Sequence, residues 1–268
     1  MTNDAFKAEA RPVRLGVQLA PQHAPYSSLR DSVRKIEDLG ADILFNWDHF
    51  YPLSGDPDGL HFEAWTILSA WAEQTSRIEL GHLVNCNSYR NPNLQADMAR
   101  TIDHISNGRF IFGTGSGWFE KDYDNYGYEF GTAGSRLDAL ARDLPIIEDR
   151  WSKLNPPPTR KIPVLIGGGG EKKTLKIVAR HADVWHSFVD VETFDHKLTV
   201  LQEHAAVIGR DVSEIELSTE LRMRTQAEAD EFFERGARLF TLGVSGEIDF
   251  DNIAKWIACV IPRTEADP

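Results

Sequence analysis

Two cysteines in 268 residues, Cys86 and Cys259, are too few and too far apart for a disulfide framework or a cysteine zinc site. That usage fits a reducing, cytoplasmic setting. Long apolar runs are missing as well. No stretch approaches the roughly 20 residues of a membrane span, and the polar first eleven residues hold no signal-peptide core. Basic residues are outnumbered, 29 Lys and Arg against 41 Asp and Glu, for a formal charge of -12. Such a chain is a poor partner for nucleic acid or an anionic membrane surface. An anionic ligand would need local help from backbone amides and a few cations. The nine histidines are scattered without ligand spacing, so no metal is expected. A Gly-x-Ser-x-Gly elbow in a strand–helix turn is also missing.

Glycine, by contrast, falls where it matters. Phe110-Ile111-Phe112 stops in Gly113, Gly115 and Gly117, and Pro163-Val164-Leu165-Ile166 stops in Gly167-Gly168-Gly169-Gly170. A short apolar run reads as a buried strand. Glycines after it permit a sharp bend and close approach by a ligand, or form a plain tight turn.

The same alternation runs through the chain. Strands are expected at Val13–Leu19, Ala41–Trp47, Arg77–Val84, Phe110 onward, Pro163–Ile166, Asp183–Ser187, Glu214–Leu221 and Arg238–Leu242. Helical patterns separate them. Ser27 or Ser28 can cap the first, Leu94, Met98, Ile102 and Ile105 mark a buried stripe, and Ser135-x-x-Asp138 resembles a capping box. Pro145 predicts a kink or early break in its helix. Glu171–His181 reads as a helix directly after the second glycine turn. Eight strands alternating with eight helices in about 250 residues match a (β/α)8 barrel; a doubly wound sheet is the rival. We therefore expect one barrel domain over residues 1–268, with residues 1–11 and 263–268 as tails. Residues 116–134, without clear periodicity, form an insertion over the barrel mouth.

In a barrel the C-terminal strand ends share one mouth. Asp48, His49, Asn85, Asn87, Gly115, Gly117, Gly167–Gly170 and His186 would lie there. His49 can move a proton near neutral pH, or simply bond backbone in a loop. The turn at Gly167–Gly170, followed by Lys172 and Lys173, suits a phosphate. Asn85 and Asn87 can address the edge of a planar ring, or form a turn. Arg90 can pair with an anionic tail or cap the strand and helix.

Four segments together resemble the luciferase-like superfamily, in its F420-dependent oxidoreductase branch. They are Trp47-Asp48-His49-Phe50, Leu83 to Pro92, Gly113 to Trp118, and Ile166 to Gly170. The resemblance implies a barrel that binds a flavin or deazaflavin at the strand ends. It implies a phosphate site at Gly167, Gly168, Gly169 and Gly170, with Gly115 and Gly117 also against the cofactor. It implies a non-prolyl cis peptide at Leu83-Val84 behind the central ring, with Asn85 and Asn87 beside it. Asp48 and His49 match the pair at the hydride-transfer site of deazaflavin sugar-phosphate dehydrogenases. Those enzymes carry an acid where this chain has Trp118 and a tryptophan where it has Leu53, so a sugar phosphate is not the implied substrate. Trp47, Phe50, Trp118 and His186 are the candidate substrate contacts.

The expected activity is hydride transfer between coenzyme F420 and a small organic molecule. An FMN-dependent monooxygenase and a cofactor-binding barrel without turnover are the alternatives. The resemblance also implies a homodimer. Lys172, Lys173 and Arg90 would receive the anionic deazaflavin tail, whose binding should then weaken with salt.

Overall fold

The computed structural model describes residues 11–260. Apart from Arg11, the two tails fall outside these residues. Arg11 itself donates to the carbonyls of Ser213 and Glu214, at 3.1 and 2.8 Å.

Among the described residues, nine parallel strands form one sheet. They are β1 (Arg14–Leu19), β2 (Ile43–Asn46), β3 (Glu79–His82), β4 (Asn85–Cys86), β5 (Phe110–Gly115), β6 (Val164–Gly167), β7 (Val184–Ser187), β8 (Glu216–Glu220) and β9 (Ala237–Val244). Their order is β3-β2-β1-β9-β8-β7-β6-β5-β4, and β3 also pairs with β5, which closes the ring. β3 and β4 are halves of one barrel strand, so the ring has eight staves, as the (β/α)8 reading requires. Gly81 pairs with Ile111, and Asn85 with Thr114. One side thus advances an extra residue, and Leu83–Val84 bulges out of the ladder. Gly113 permits the tight crossing below the bulge, because a Cβ there would lie 1.8 Å from the His82 carbonyl oxygen.

Helices α1 (Tyr26–Leu39), α2 (Ala64–Gln74), α3 (Pro92–Ile105), α5 (Ala133–Lys153), α6 (Thr174–His181), α7 (Val191–Val207), α8 (Gln226–Glu234) and α9 (Phe250–Val260) follow the strands. Helix α1 shows why: Leu29, Val33 and Ile36 fall on one buried face, and Gly40 ends it at φ 99°. Large side chains such as Trp65, Trp71 and Trp185 fill the layer between sheet and helices. A second cluster, including Ile43, Phe45, Ile111, Leu165 and Leu239, plugs the barrel interior. The interior is therefore solid below the mouth.

Several local expectations are corrected. Residues 116–134 are not irregular throughout, since Glu120–Tyr126 forms α4, closed by Gly127 at φ 70°. Phe119, Asp122, Tyr123 and Tyr126 had the i, i+3, i+4, i+7 spacing of a helix face, hidden by the shortness of the run. Helix α5 is capped by Thr132, with Ser135 reaching back from the third position, so the capping box lies three residues earlier than expected. It runs unbroken through Pro145. Helix α6 starts at Thr174, after a turn. Pro25 precedes α1 without a side-chain cap. Of the expected stripe on α3, Ile102 is buried and Met98 and Ile105 pack against the core, but Leu94 is 52% exposed, and Gln95, Ala96 and Ala99 join the buried face.

Candidate active site

A cavity of about 460 Å³ opens at the C-terminal ends of β1, β2, β4, β5 and β6. Of the residues singled out from the sequence, it gathers Trp47, Asp48, His49, Leu83, Val84, Asn85, Gly115, Gly117, Trp118, Gly167 and Gly168. The remaining candidates lie outside its lining. Phe50 stacks on Tyr126 at 3.9 Å between ring centroids. Asn87 faces a neighbouring groove and donates to Asp143 at 2.8 Å. Gly169 and Gly170 follow in the turn and do not line the cavity. His186 is buried within the barrel, bonded to Ser218 Oγ at 2.7 Å, with Nε2 unpartnered and the ring edge-to-face with Phe188 at 4.5 Å.

The inner wall is made of backbone. The Leu83–Val84 peptide is cis, and Gln18 Nε2 donates to the Leu83 carbonyl. Val84 projects between Gly115 and Gly167. A Cβ on either glycine would come within 2.9 Å of a Val84 methyl. The result is a low wall of one valine side chain between two glycine backbones, and such a wall suits a planar ring. The rest of the surround is apolar, with Trp47, Leu53, Trp118 and Phe188. No lysine or arginine is among the lining residues.

The two residues that close β2 have different surroundings. Asp48 is buried, and both of its oxygens are engaged. Arg90 grips them from Nη1 at 2.5 Å and Nη2 at 3.0 Å, and the Cys86 N–H donates to Oδ2 at 3.0 Å. Burial holds the Asp48 carboxyl above its ordinary range, against the pull of Arg90. Arg90 also pairs with Glu63 at 2.7 Å. It is a buried bracket tying β2, α2 and the segment after β4 together, so it is not free to receive an anionic tail. The Asn85 amide is committed as well, accepting from Trp65 Nε1 and donating to Gln95.

His49 makes a separate pair. Its Nδ1 lies 2.7 Å from Asp122 Oδ2. Asp122 also accepts from the Phe50 N–H at 3.1 Å and the Tyr89 hydroxyl at 2.9 Å. Burial pushes the Tyr89 phenol up, which keeps it protonated and a donor. Nε2 of His49 has no hydrogen-bond partner among the described residues. The imidazole packs edge-on against Trp118 and Phe119 at 5.8 and 5.4 Å. Cys86, another lining residue, is held as a thiol, because burial above all raises it to about 12. It sits 3.2 Å from the Tyr123 hydroxyl.

At the far rim, Gly168 adopts φ 119°, a conformation that favours glycine, and its N–H bonds the His186 carbonyl. Trp185 Nε1 donates to the Gly168 carbonyl at 2.8 Å. Of the nearby cations, Lys173 is paired with Asp138 at 2.6 Å and Lys197 with Glu171. Lys172 is exposed.

Sequence reasoning missed Asp122, Gln18 and Phe188. The helical spacing around Asp122 was the available signal: an acid on the buried face of an aromatic helix is out of place unless it is bonded. Among the described residues no group of three or more His, Cys, Asp or Glu is placed to hold a metal, and no helix is long and apolar enough to cross a membrane.

A closed parallel barrel with its cavity at the C-terminal mouth is the enzyme architecture that carries ligands on strand-end loops. Within that class, the family model for luciferase-like monooxygenases matches residues 11–142 and 143–253, and the chain belongs to this family. An uncharacterized protein of Mycobacterium tuberculosis is 30% identical over 184 residues, which are 60% of this chain and 64% of that protein's length. An F420-dependent glucose-6-phosphate dehydrogenase of Amycolatopsis mediterranei is 26% identical over 250 residues, 85% of this chain and 74% of its own. The pyrimidine monooxygenase RutA of Rhizobium rhizogenes is 28% identical over 261 residues, 86% of this chain and 71% of its own. In fold, the chain matches an F420-dependent secondary alcohol dehydrogenase in complex with an F420-acetone adduct. The TM-score is 0.83 over 95% of this chain and 99% of that one, at 16% identity.

Proposed function

We propose that the chain is an oxidoreductase that uses coenzyme F420 on a small, uncharged organic substrate. The observation that carries this reading is one imidazole, His49, with a free Nε2. It shares an apolar cavity with an inner wall in which the Val84 methyls project between the bare backbones of Gly115 and Gly167. The wall would take the face of a tricyclic ring, and the glycine turn from Gly167 to Gly170 would hold the cofactor's phosphate. When bound, the deazaflavin supplies a carbon that gives or takes a hydride. The chain's own residues do the rest. Val84 and the glycines hold the ring plane. Trp47, Leu53, Trp118 and Phe188 offer apolar surface to a substrate body, which would cover the exposed rings of Trp118 and Phe188. His49 Nε2 takes or returns the one proton that must accompany the hydride. Asp48, both oxygens bound, fixes the Cys86 backbone beneath the ring site.

The match to a pyrimidine monooxygenase supports a second reading, an FMN-dependent monooxygenase on the same cavity. Titration with each cofactor, followed by quenching of Trp47 and Trp118, separates them. We expect tighter binding of the deazaflavin; tight FMN binding with no deazaflavin binding would overturn the choice. His49→Ala should then keep cofactor affinity within a few-fold and slow turnover about 10²–10⁴-fold, the range for a lost acid–base group.

A further inference from the structure

Two donors and one imidazole nitrogen converge on Asp122, a residue that neither the chain's motifs nor its resemblance singles out. His49 Nδ1 lies at 2.7 Å, the Tyr89 hydroxyl at 2.9 Å and the Phe50 N–H at 3.1 Å. Asp122 is fully buried, and a buried carboxylate is tolerated only where its oxygens are hydrogen-bonded. It belongs to α4, in the segment between β5 and α5, whereas His49 follows β2. The contact therefore joins the mouth segment to the proton-transfer residue, 73 positions away in sequence.

We propose that Asp122 is a positioning residue that fixes His49 as the Nδ1–H tautomer, leaving the Nε2 lone pair for substrate. This rests on the proposed role of His49. An ionised carboxylate can only accept, so the imidazole edge that faces it must carry the proton. Nε2 is then a bare acceptor at the cavity, ready to take the proton of a substrate hydroxyl as its carbon gives hydride to bound deazaflavin. In the reverse direction the imidazolium returns that proton to the carbonyl oxygen. The same logic of a buried acid selecting a histidine tautomer operates in the serine protease triad.

Asp122→Asn makes the proposal testable, because the site has a built-in direction. The Phe50 N–H at Oδ1 needs an acceptor, so the amide oxygen stays there. The NH₂ group then faces His49 Nδ1 and can only donate. Nδ1 must become the acceptor, the imidazole proton moves to Nε2, and the Tyr89 hydroxyl turns to accept. Nitrogen NMR of the protein without cofactor, in mildly alkaline buffer, reads the tautomer directly, with His49→Gln identifying the signals. We expect Nδ1–H in the wild type, Nε2–H in Asp122→Asn, and Nδ1–H again in Tyr89→Phe, which loses one donor to Asp122 but keeps the imidazole contact. An Nε2–H wild type, or one tautomer shared by the wild type and Asp122→Asn, overturns the proposal. If Asp122→Asn does not fold, the wild type alone can still overturn the proposal, by showing Nε2–H. With an F420 substrate in hand, Asp122→Asn should lower kcat about 10²–10⁴-fold with KM little changed. Failure to bind deazaflavin would remove the proposed function and leave the tautomer result standing.

Discussion

Residues of one type behave differently here according to what their neighbours let them do. His49 keeps a free ring nitrogen at the cavity, while His186 and His82 are sealed inside with Nε2 unpartnered. Burial drives His186 down to about 3 and His82 well below its usual value, and it lowers the partly buried His61 to about 4. These imidazoles are neutral when folded and bind a proton when unfolded below roughly pH 6.5. Unfolding then takes up protons, so their contribution to stability is present above that pH and is lost as pH falls toward 4 and then 3. Each group adds a slope of about 1.4 kcal/mol per pH unit inside its own window. Urea unfolding from pH 7 down to pH 4 should show a steep loss, and His186→Gln should flatten it by about one group's slope. An unchanged slope would mean that His186 protonates in the folded protein. None of this was legible from the sequence, where His186 stood at a strand end like any mouth residue. Nor could spacing show that Arg90 is claimed by Asp48 and Glu63 from other elements.

Elements were legible where their period is long and their surroundings uniform. The strands and most helices lie within a few residues of expectation because their apolar spacing is set locally, by which face meets the sheet. Short or interrupted elements were not. Helix α4 has only seven residues, and α5 contains a proline that should break it. Tertiary contacts decide the α5 case. Leu140, Leu144 and Ile147 are fully buried, Trp151 Nε1 donates to the Ala96 carbonyl at 3.1 Å, and Arg150 pairs with Asp97 at 3.2 Å. Burial of three such side chains, at about 1.5–3 kcal/mol each, outweighs the roughly 3 kcal/mol that an interior proline costs. That cost is still carried, on an exposed position. Pro145→Ala restores an N–H donor and removes the ring clash, so it should stabilise the fold by about 1–3 kcal/mol. Chemical denaturation checks this; an unchanged or lower midpoint would show that proline's stiffening of the unfolded chain offsets the gain.

For the whole molecule, the alternation of strand and helix carried the barrel, and the barrel carried the position of the mouth. What the sequence hid was which charges would be left over once the ring closed. Arg90 is buried against two carboxylates, Lys173 is paired with Asp138, and Lys197 with Glu171. At the glycine turn that leaves Lys172 facing solvent, on a chain with a formal charge of -12. The sequence alone suggested that salt would weaken the binding of an anionic tail by screening local cations. With those cations already neutralised, the long-range repulsion of an acidic protein dominates the approach of a polyanionic cofactor. Screening should relieve it. Under the proposed function, raising salt from about 0.02 M to about 0.2 M shortens the Debye length from roughly 20 Å to below 10 Å. Deazaflavin affinity should therefore rise a few-fold across that range, read by the same tryptophan quenching. A several-fold loss of affinity would mean that Lys172 and its neighbours act as a working cation site after all, and that their ion pairs open when the tail arrives.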